Sequence, residues 1–178
     1  MLEKSEILKR AKKGKIDAQE QLYQQYSVML YVLCLRYARD RSEANDILQE
    51  GFITIFKDLN QYNGKGDLAA WMRKVMVNTA LQYIRKWKKD WNWENSEDHL
   101  LNLEVDESAH SNLNIEEMTK IIQQLPMGYR VVFNMYVIEG YSHKEIASKL
   151  DISESTSKSQ LHRAKQAIRN KMEAFLLA

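Results

Sequence analysis

The chain has 178 residues, and 26 Lys and Arg against 24 Asp and Glu leave a formal charge of only +2. At ~150 residues per domain, that length allows one ordinary domain or two small ones. The balance excludes a uniformly basic coat. The longest apolar run, Val28 to Leu35, falls far short of the about 20 residues of a membrane span, and one proline and six glycines give few of the turns that an all-β protein requires.

The N-terminus, Met1 to Glu6, is polar and lacks the apolar stretch of a signal peptide. The first long helix is expected behind Asp17-Ala18-Gln19-Glu20, a capping pattern followed by Leu22, Tyr26, Met29, Leu30, Leu33 and Tyr37 at steps of three and four. Cys34 lies in this apolar stretch, has no partner for an internal disulfide, and reads as a core thiol in a reducing cytoplasm. A second helix is expected from about Ser42-Glu43. Its buried stripe is Ala44, Ile47, Leu48, Gly51, Phe52, Ile55, Phe56 and Leu59. Asp46, Gln49, Glu50 and Ile53 fall on another face, which spacing alone leaves open between a docking surface for a basic helix and an ordinary solvated face.

The segment Asn63-Gly64-Lys65-Gly66 signals a loop, with Asp67 as the cap of a third helix running to about Lys89. Residues 68–89 carry six Lys or Arg and no acid, whereas residues 90–117 carry nine acids and no Lys or Arg. Lys74, Asn78, Arg85 and Lys89 share a helix face that would attract phosphates or simply be solvated. Trp71, with Leu68, Met72 and Val75, reads as core; Trp87, Trp91 and Trp93 could stack on bases or close the end of the domain. From about Asp90 to Leu113 no amphipathic stripe persists, and the acidic stretch reads as a flexible linker.

Structure is expected to resume at Asn114-Ile115-Glu116-Glu117. Pro126 opens a helix with Tyr129, Val132, Phe133, Tyr136 and Val137 on one face, ending near Gly140. Ser142-His143-Lys144-Glu145 is a capping box that starts a short helix with Ile146, Ala147 and Leu150 inward. Asp151-Ile152-Ser153 is a tight turn, and Ser153 caps a last helix with Ser157, Leu161, Ala164, Ile168 and Met172 inward. Short helix, three-residue turn and longer helix make the helix-turn-helix plan. Ser155, Thr156, Lys158, Ser159, His162 and Arg163 lie outward near the start of the last helix, and Ser153 to Lys171 has a local net charge of +4. This face suits DNA phosphates and base edges, although a helical hairpin with a solvated basic face has the same pattern.

Catalytic chemistry finds no foothold in this pattern. His99, His110, His143 and His162 are scattered, neither H-x-x-x-H nor C-x-x-C spacing occurs, and there is no phosphate-cradling P-loop. No metal or cofactor is implied, and His143 reads as a surface residue of the capping box.

In their order and spacing, these segments resemble the bacterial sigma-70 family, specifically its extracytoplasmic-function (ECF) group. The first domain matches at Ala44-Asn45-Asp46-Ile47-Leu48-Gln49-Glu50-Gly51-Phe52, at Trp71 and at Asn78-Thr79-Ala80-Leu81. The second matches at Leu125-Pro126-Met127-Gly128-Tyr129-Arg130, from Glu139 to Ala147, and from Thr156 to Lys165. The resemblance implies an all-α chain of two small helical domains, 1–90 and 114–178, joined by the acidic linker at 91–113, the second domain a helix-turn-helix.

The same resemblance implies that Asp46, Gln49, Glu50 and Ile53 dock on the clamp helices of the largest subunit of core RNA polymerase. Lys65, Asp67, Arg73, Lys74, Asn78 and Arg85 would hold the minus-ten element, and the six outward residues from Ser155 to Arg163 the minus-thirty-five element. The linker would thread toward the RNA exit path. Promoter DNA and an anti-sigma factor are the further partners implied, and the runner-up reading is a stand-alone helix-turn-helix regulator. Two departures stand out. Ser155-Thr156-Ser157 replaces a common Gly-Thr-Val, so Ser157 is expected to loosen the packing of the last helix. Gln160 stands where a basic residue is frequent and is expected to trim phosphate attraction.

Overall fold

The computed structural model describes residues 4–87 and 115–176. The acidic linker, Trp91, Trp93, His99 and His110 lie outside the described residues. All regular structure among the described residues is helical, and the chain divides into two units at residues 89/90.

Four helices build the first unit: α1 (Lys4–Lys12), α2 (Ile16–Tyr37), α3 (Arg41–Asp58) and α4 (Leu68–Trp87), with a 3₁₀ turn at Leu59–Gln61. α3 packs against both α2 and α4. Its expected stripe is the inward face: Ala44, Ile47, Leu48, Gly51, Phe52, Ile55 and Leu59 are buried, and Phe56 is half-buried. On α2, Leu22, Leu30, Leu33, Cys34 and Tyr37 are buried, but Met29 is exposed, because its neighbour Leu30 takes the inward position. Burial pushes the Cys34 thiol up to about 12, so it stays neutral in the core. α1 was not evident from the sequence. It covers the bundle by burying Ala11 against Leu22 and Leu59, with Ile7 and Leu8 at the margin.

The helix starts differ from expectation in an instructive way. α2 begins at Ile16 with Lys15 at its N-cap, because Asp17 pairs with Arg10 of α1 instead of capping. α3 begins one residue before the expected start. Asp40 Oδ1 accepts from the Glu43 amide at 2.8 Å, and the Glu43 carboxylate accepts from the Arg39 amide at 2.5 Å. One of the helix's otherwise unpaired donors, the Glu43 amide, is thereby satisfied, together with the Arg39 amide just before the cap. Asp67 caps α4 as expected, accepting from the Ala69 amide at 3.1 Å.

The second unit contains α5 (Ile115–Gln123), α6 (Met127–Phe133), a π-helical segment (Asn134–Ile138), α7 (His143–Leu150) and α8 (Glu154–Leu176). α8 packs on α6 and α7, and its buried face carries Ser157, Leu161, Ala164 and Ile168 as the spacing predicts. Pro126 occupies the N-cap of α6, just outside the helix. The expected apolar face of that helix breaks at the π segment. A π turn rotates the following residues relative to an α-helix. Asn134 and Met135 are therefore buried, while Tyr136 and Val137 are 38% and 48% exposed. Asn134 accommodates the wider turn: its side-chain amide donates to the Arg130 carbonyl at 2.9 Å, and its own carbonyl accepts from the Glu139 amide at 3.0 Å.

Candidate functional site

Three exposed surfaces stand on this frame. On α3, Asp46, Gln49 and Glu50 are exposed, and Ile53 is 68% exposed beside them. Burying the opposite stripe against α2 and α4 fixes which way they point. Asp46 is held from below, because Tyr83 of α4 donates its hydroxyl to Oδ2 at 3.3 Å. Tyr83 is nearly buried, and burial together with the Asp46 carboxylate raises its pKa. This partner lies 37 residues away, beyond the reach of local spacing.

The second surface is the loop before α4 and the helix behind it. Tyr62 is buried, donates its hydroxyl to the Gly66 carbonyl at 2.7 Å, and lies 5.8 Å from the Trp71 ring. Lys12 of α1 donates to the Tyr62 carbonyl at 2.5 Å. Gly64 and Gly66 adopt φ of +80° and +81°, the left-handed backbone that glycine tolerates. Asn63 Oδ1 accepts from the Lys65 amide at 2.9 Å. The loop is thus braced at its base, with Lys65 and Asp67 exposed at its rim. Lys74 and Asn78 line a groove of ≈ 380 Å³ together with Trp71 and Val75 of α4 and Thr54 and Asp58 of α3. Lys65, Arg73 and Arg85 do not line it; Arg85 is exposed further along α4 and Arg73 is half-buried.

The third surface is the helix-turn-helix. The Ser142–Glu145 capping box is formed in both directions: the Ser142 amide donates to Glu145 Oε2 at 2.8 Å, and the Glu145 amide donates to Ser142 Oγ at 3.3 Å. Asp151 turns the chain in the left-handed region at φ 56°. Ser153 caps α8 by accepting from the Thr156 amide at 2.9 Å, and its hydroxyl also bonds Ser155 Oγ at 2.7 Å and Thr156 Oγ1 at 2.8 Å. Ser159 donates back to the Thr156 carbonyl at 2.9 Å. Three of the six expected contact residues therefore already spend a hydroxyl bond within their own helix. Lys158 and His162 are exposed, and Arg163 is half-buried beside them.

Of the two departures noted in the sequence, Ser157 resolves differently from expectation. Ser157 is fully buried, yet its hydroxyl meets His143 Nδ1 at 2.9 Å, so it joins α8 to α7 instead of loosening them. Gln160 is 3% exposed and lies where a Cβ on Gly128 would come within 2.8 Å of its Oε1, so it is packing and not a phosphate contact. Sequence reasoning also missed Arg130. It is buried, and its guanidinium donates to the Gln123 carbonyl at the end of α5 at 2.6 Å.

Residues 22–90 match the family described as Sigma-70 region 2, and residues 115–168 match that described as Sigma-70, region 4. The chain belongs to the sigma-70 family. Within that family, this sigma factor is of the ECF group. It is 28% identical to the RNA polymerase sigma-H factor of Pseudomonas aeruginosa over 96% of this chain and 94% of that protein. It is 29% identical to the ECF RNA polymerase sigma factor SigM of Bacillus subtilis, over 84% of this chain and 92% of that one. In fold it is similar to the sigma factor RpoE of Bartonella quintana, co-crystallised with the anti-sigma factor NepR. That likeness has a TM-score of 0.52 at 15% identity and covers 86% of this chain and 96% of the other. No group of three or more potential metal ligands occurs among the described residues, and no described helix is long and apolar enough to cross a membrane.

Proposed function

We propose that this ECF sigma factor works as a dissociable specificity subunit whose two units grip polymerase and promoter together. The observation that carries the reading is the order of the two family matches, each falling on a unit that presents an exposed polar or basic face. Asp46, Gln49, Glu50 and Ile53 of α3 dock on the clamp helices of core RNA polymerase. The loop and α4, through Lys65, Asp67, Arg73, Lys74, Asn78 and Arg85, hold the minus-ten element as it melts. Ser155, Thr156, Lys158, Ser159, His162 and Arg163 of α8 face the minus-thirty-five duplex. The working division is 1–90 and 114–178 with 91–113 as tether, which raises the effective concentration of each contact for the other.

The chain supplies binding and no catalysis, and it acts in the cytoplasm, where polymerase works. An anti-sigma protein is its regulatory partner, a reading supported by the similarity to a sigma factor crystallised with one. Initiation reconstituted from purified chain, core polymerase and genomic DNA fragments tests the function. Discrete start sites that depend on the chain are expected. DNA binding without retention on core polymerase would identify a stand-alone regulator instead.

A further inference from the structure

One imidazole of α7 touches two other pieces of the second unit. His143 is the first residue of α7. Its ring stacks on Tyr136 of the π segment, with centroids 4.4 Å apart and planes 25° from parallel. Its Nδ1 lies 2.9 Å from the Ser157 hydroxyl on α8. The π turn makes the stack possible, because it brings Tyr136 out of the core row occupied by Tyr129 and Val132.

Ser157 is the one buried hydroxyl of α8; the other buried side chains of its inward face are Leu161, Ala164 and Ile168, with Gln160 packed beside them on Gly128. Apolar contacts on such a face are non-directional and tolerate sliding and rotation. A hydrogen bond holds one distance and one angle, and a buried hydroxyl is costly to leave without a partner. The bond therefore selects one rotation of the first turns of α8 against α7. Lys158 follows Ser157 directly, and His162 stands five residues on, both on the exposed side.

We propose that His143 and Ser157 form a positioning pair that sets how α8 presents its outer face, and so tunes promoter affinity without contacting a base. The inference rests on the reading that α8 faces duplex DNA. The pair has its own sequence signature: a hydroxyl on the inward face of the second helix, fourteen residues after a histidine that starts the first.

The test uses the full chain bound to core polymerase, with a promoter selected by the wild-type holoenzyme as the probe. Ser157→Ala, His143→Ala, the double variant and His143→Asn are compared for promoter affinity, for retention on core polymerase and for thermal melting. Asn offers a polar atom near the place of Nδ1. Each alanine variant is expected to lose about five- to tenfold in promoter affinity, roughly the worth of one hydrogen bond. The double variant should lose no more than the worse single one, His143→Asn should recover most of the loss, and retention on polymerase should not change. Wild-type affinity in Ser157→Ala, or strictly multiplying losses in the double variant, overturns the proposal. So does a lowered melting midpoint with undiminished promoter affinity, which marks a purely structural bond. If His143→Ala melts below the assay temperature, Ser157→Ala and His143→Asn still decide the question. Failure of the wild-type holoenzyme to bind any promoter would instead sink the functional reading itself.

Discussion

The Met76 thioether of α4 fills the notch that Gly51 leaves in α3. A Cβ at Gly51 would overlap the Met76 Sδ and Cε atoms. Glycine inside a helix costs roughly 1 kcal/mol relative to alanine, so its presence here needs a packing reason, and Met76 supplies one. Met76 is fully buried, so its thioether can make room only by repacking within the core. Overpacking of this kind costs about 1–3 kcal/mol, which outweighs the gain in helix propensity. Gly51→Ala is expected to destabilise the first unit by about 1 kcal/mol net. On a Met76→Ala background the same substitution should become neutral or stabilising, because its methyl then fills part of the vacated space. Urea unfolding of the four chains measures both effects. Equal cost on both backgrounds would rule out the notch as the reason for glycine.

Arg130 offers a second test, in the other unit. Its guanidinium closes the end of α5 through the Gln123 carbonyl, and the side chain is buried. Hydrogen bonds from a charged donor contribute about 1.5–3 kcal/mol. Arg130→Met keeps much of the volume and removes the donor, and it is expected to lower the stability of the second unit by about 2 kcal/mol. Loss of less than about 0.5 kcal/mol, the range of ordinary surface changes, would place Arg130 among residues that merely fill space.

The contrast between these two sites shows which features could be read in advance. The α3 stripe and the α8 face were legible because burial on one side of a helix repeats every three to four residues, and every member of the stripe adds to the signal. The capping box at Ser142 was legible because its partners are three residues apart. Asp17 misled for the same reason: its local spacing suits a cap, but Arg10 sits on another helix and takes the carboxylate. Tyr83 beneath Asp46, and Met76 in the notch of Gly51, depend on which helices become neighbours, and local spacing is silent on that. Tyr136 and Val137 were misplaced because one π turn shifts the period and leaves no mark in the residue pattern. Among the expected contact residues, exposure was legible for Lys158 and His162, whereas the hydroxyl bonds of Ser155 and Thr156 follow from the Ser153 cap and that of Ser159 from a back-bond to the Thr156 carbonyl.

The environment of His143 gives the second unit a pH dependence of known sign. Burial lowers its pKa below the ordinary 6.5, and the Lys158 ammonium, with a smaller contribution from Lys165, acts in the same direction against the opposing Glu154. The unfolded chain therefore takes up this proton at a higher pH than the folded one. Stability from the neutral imidazole is fully present above pH 6.5 and is lost as pH falls through the lower folded value. Urea midpoints for the second unit are expected to decline on acidification below that point, and the decline should be shallower in His143→Asn. Parallel curves for the two chains would assign the acid sensitivity to other groups.

Within the outward face of α8, the side chains divide by what they have left to offer DNA. Ser159 donates to the Thr156 carbonyl and must break that bond to donate to a base, and the Ser155 hydroxyl is already bonded to that of the Ser153 cap. Lys158 and His162 are exposed nitrogen donors one turn apart. Lys158→Ala is expected to weaken binding to all duplexes alike and to reduce the salt slope by about 1, the signature of a lost phosphate contact. His162→Ala and Arg163→Ala, where the side chain reads a base edge, are expected to cost about 1–3 kcal/mol on the selected promoter and to relax choice at a single position. Ser155→Ala and Ser159→Ala should stay within about 0.5 kcal/mol of wild type, as surface changes usually do. Holoenzyme affinity measured across a panel of single-base promoter variants and several salt concentrations separates these classes. A serine variant that alone changes base preference would show that the Ser153 hydroxyl cluster opens when DNA arrives, and the cap geometry of the free chain would then not be the one that reads the promoter.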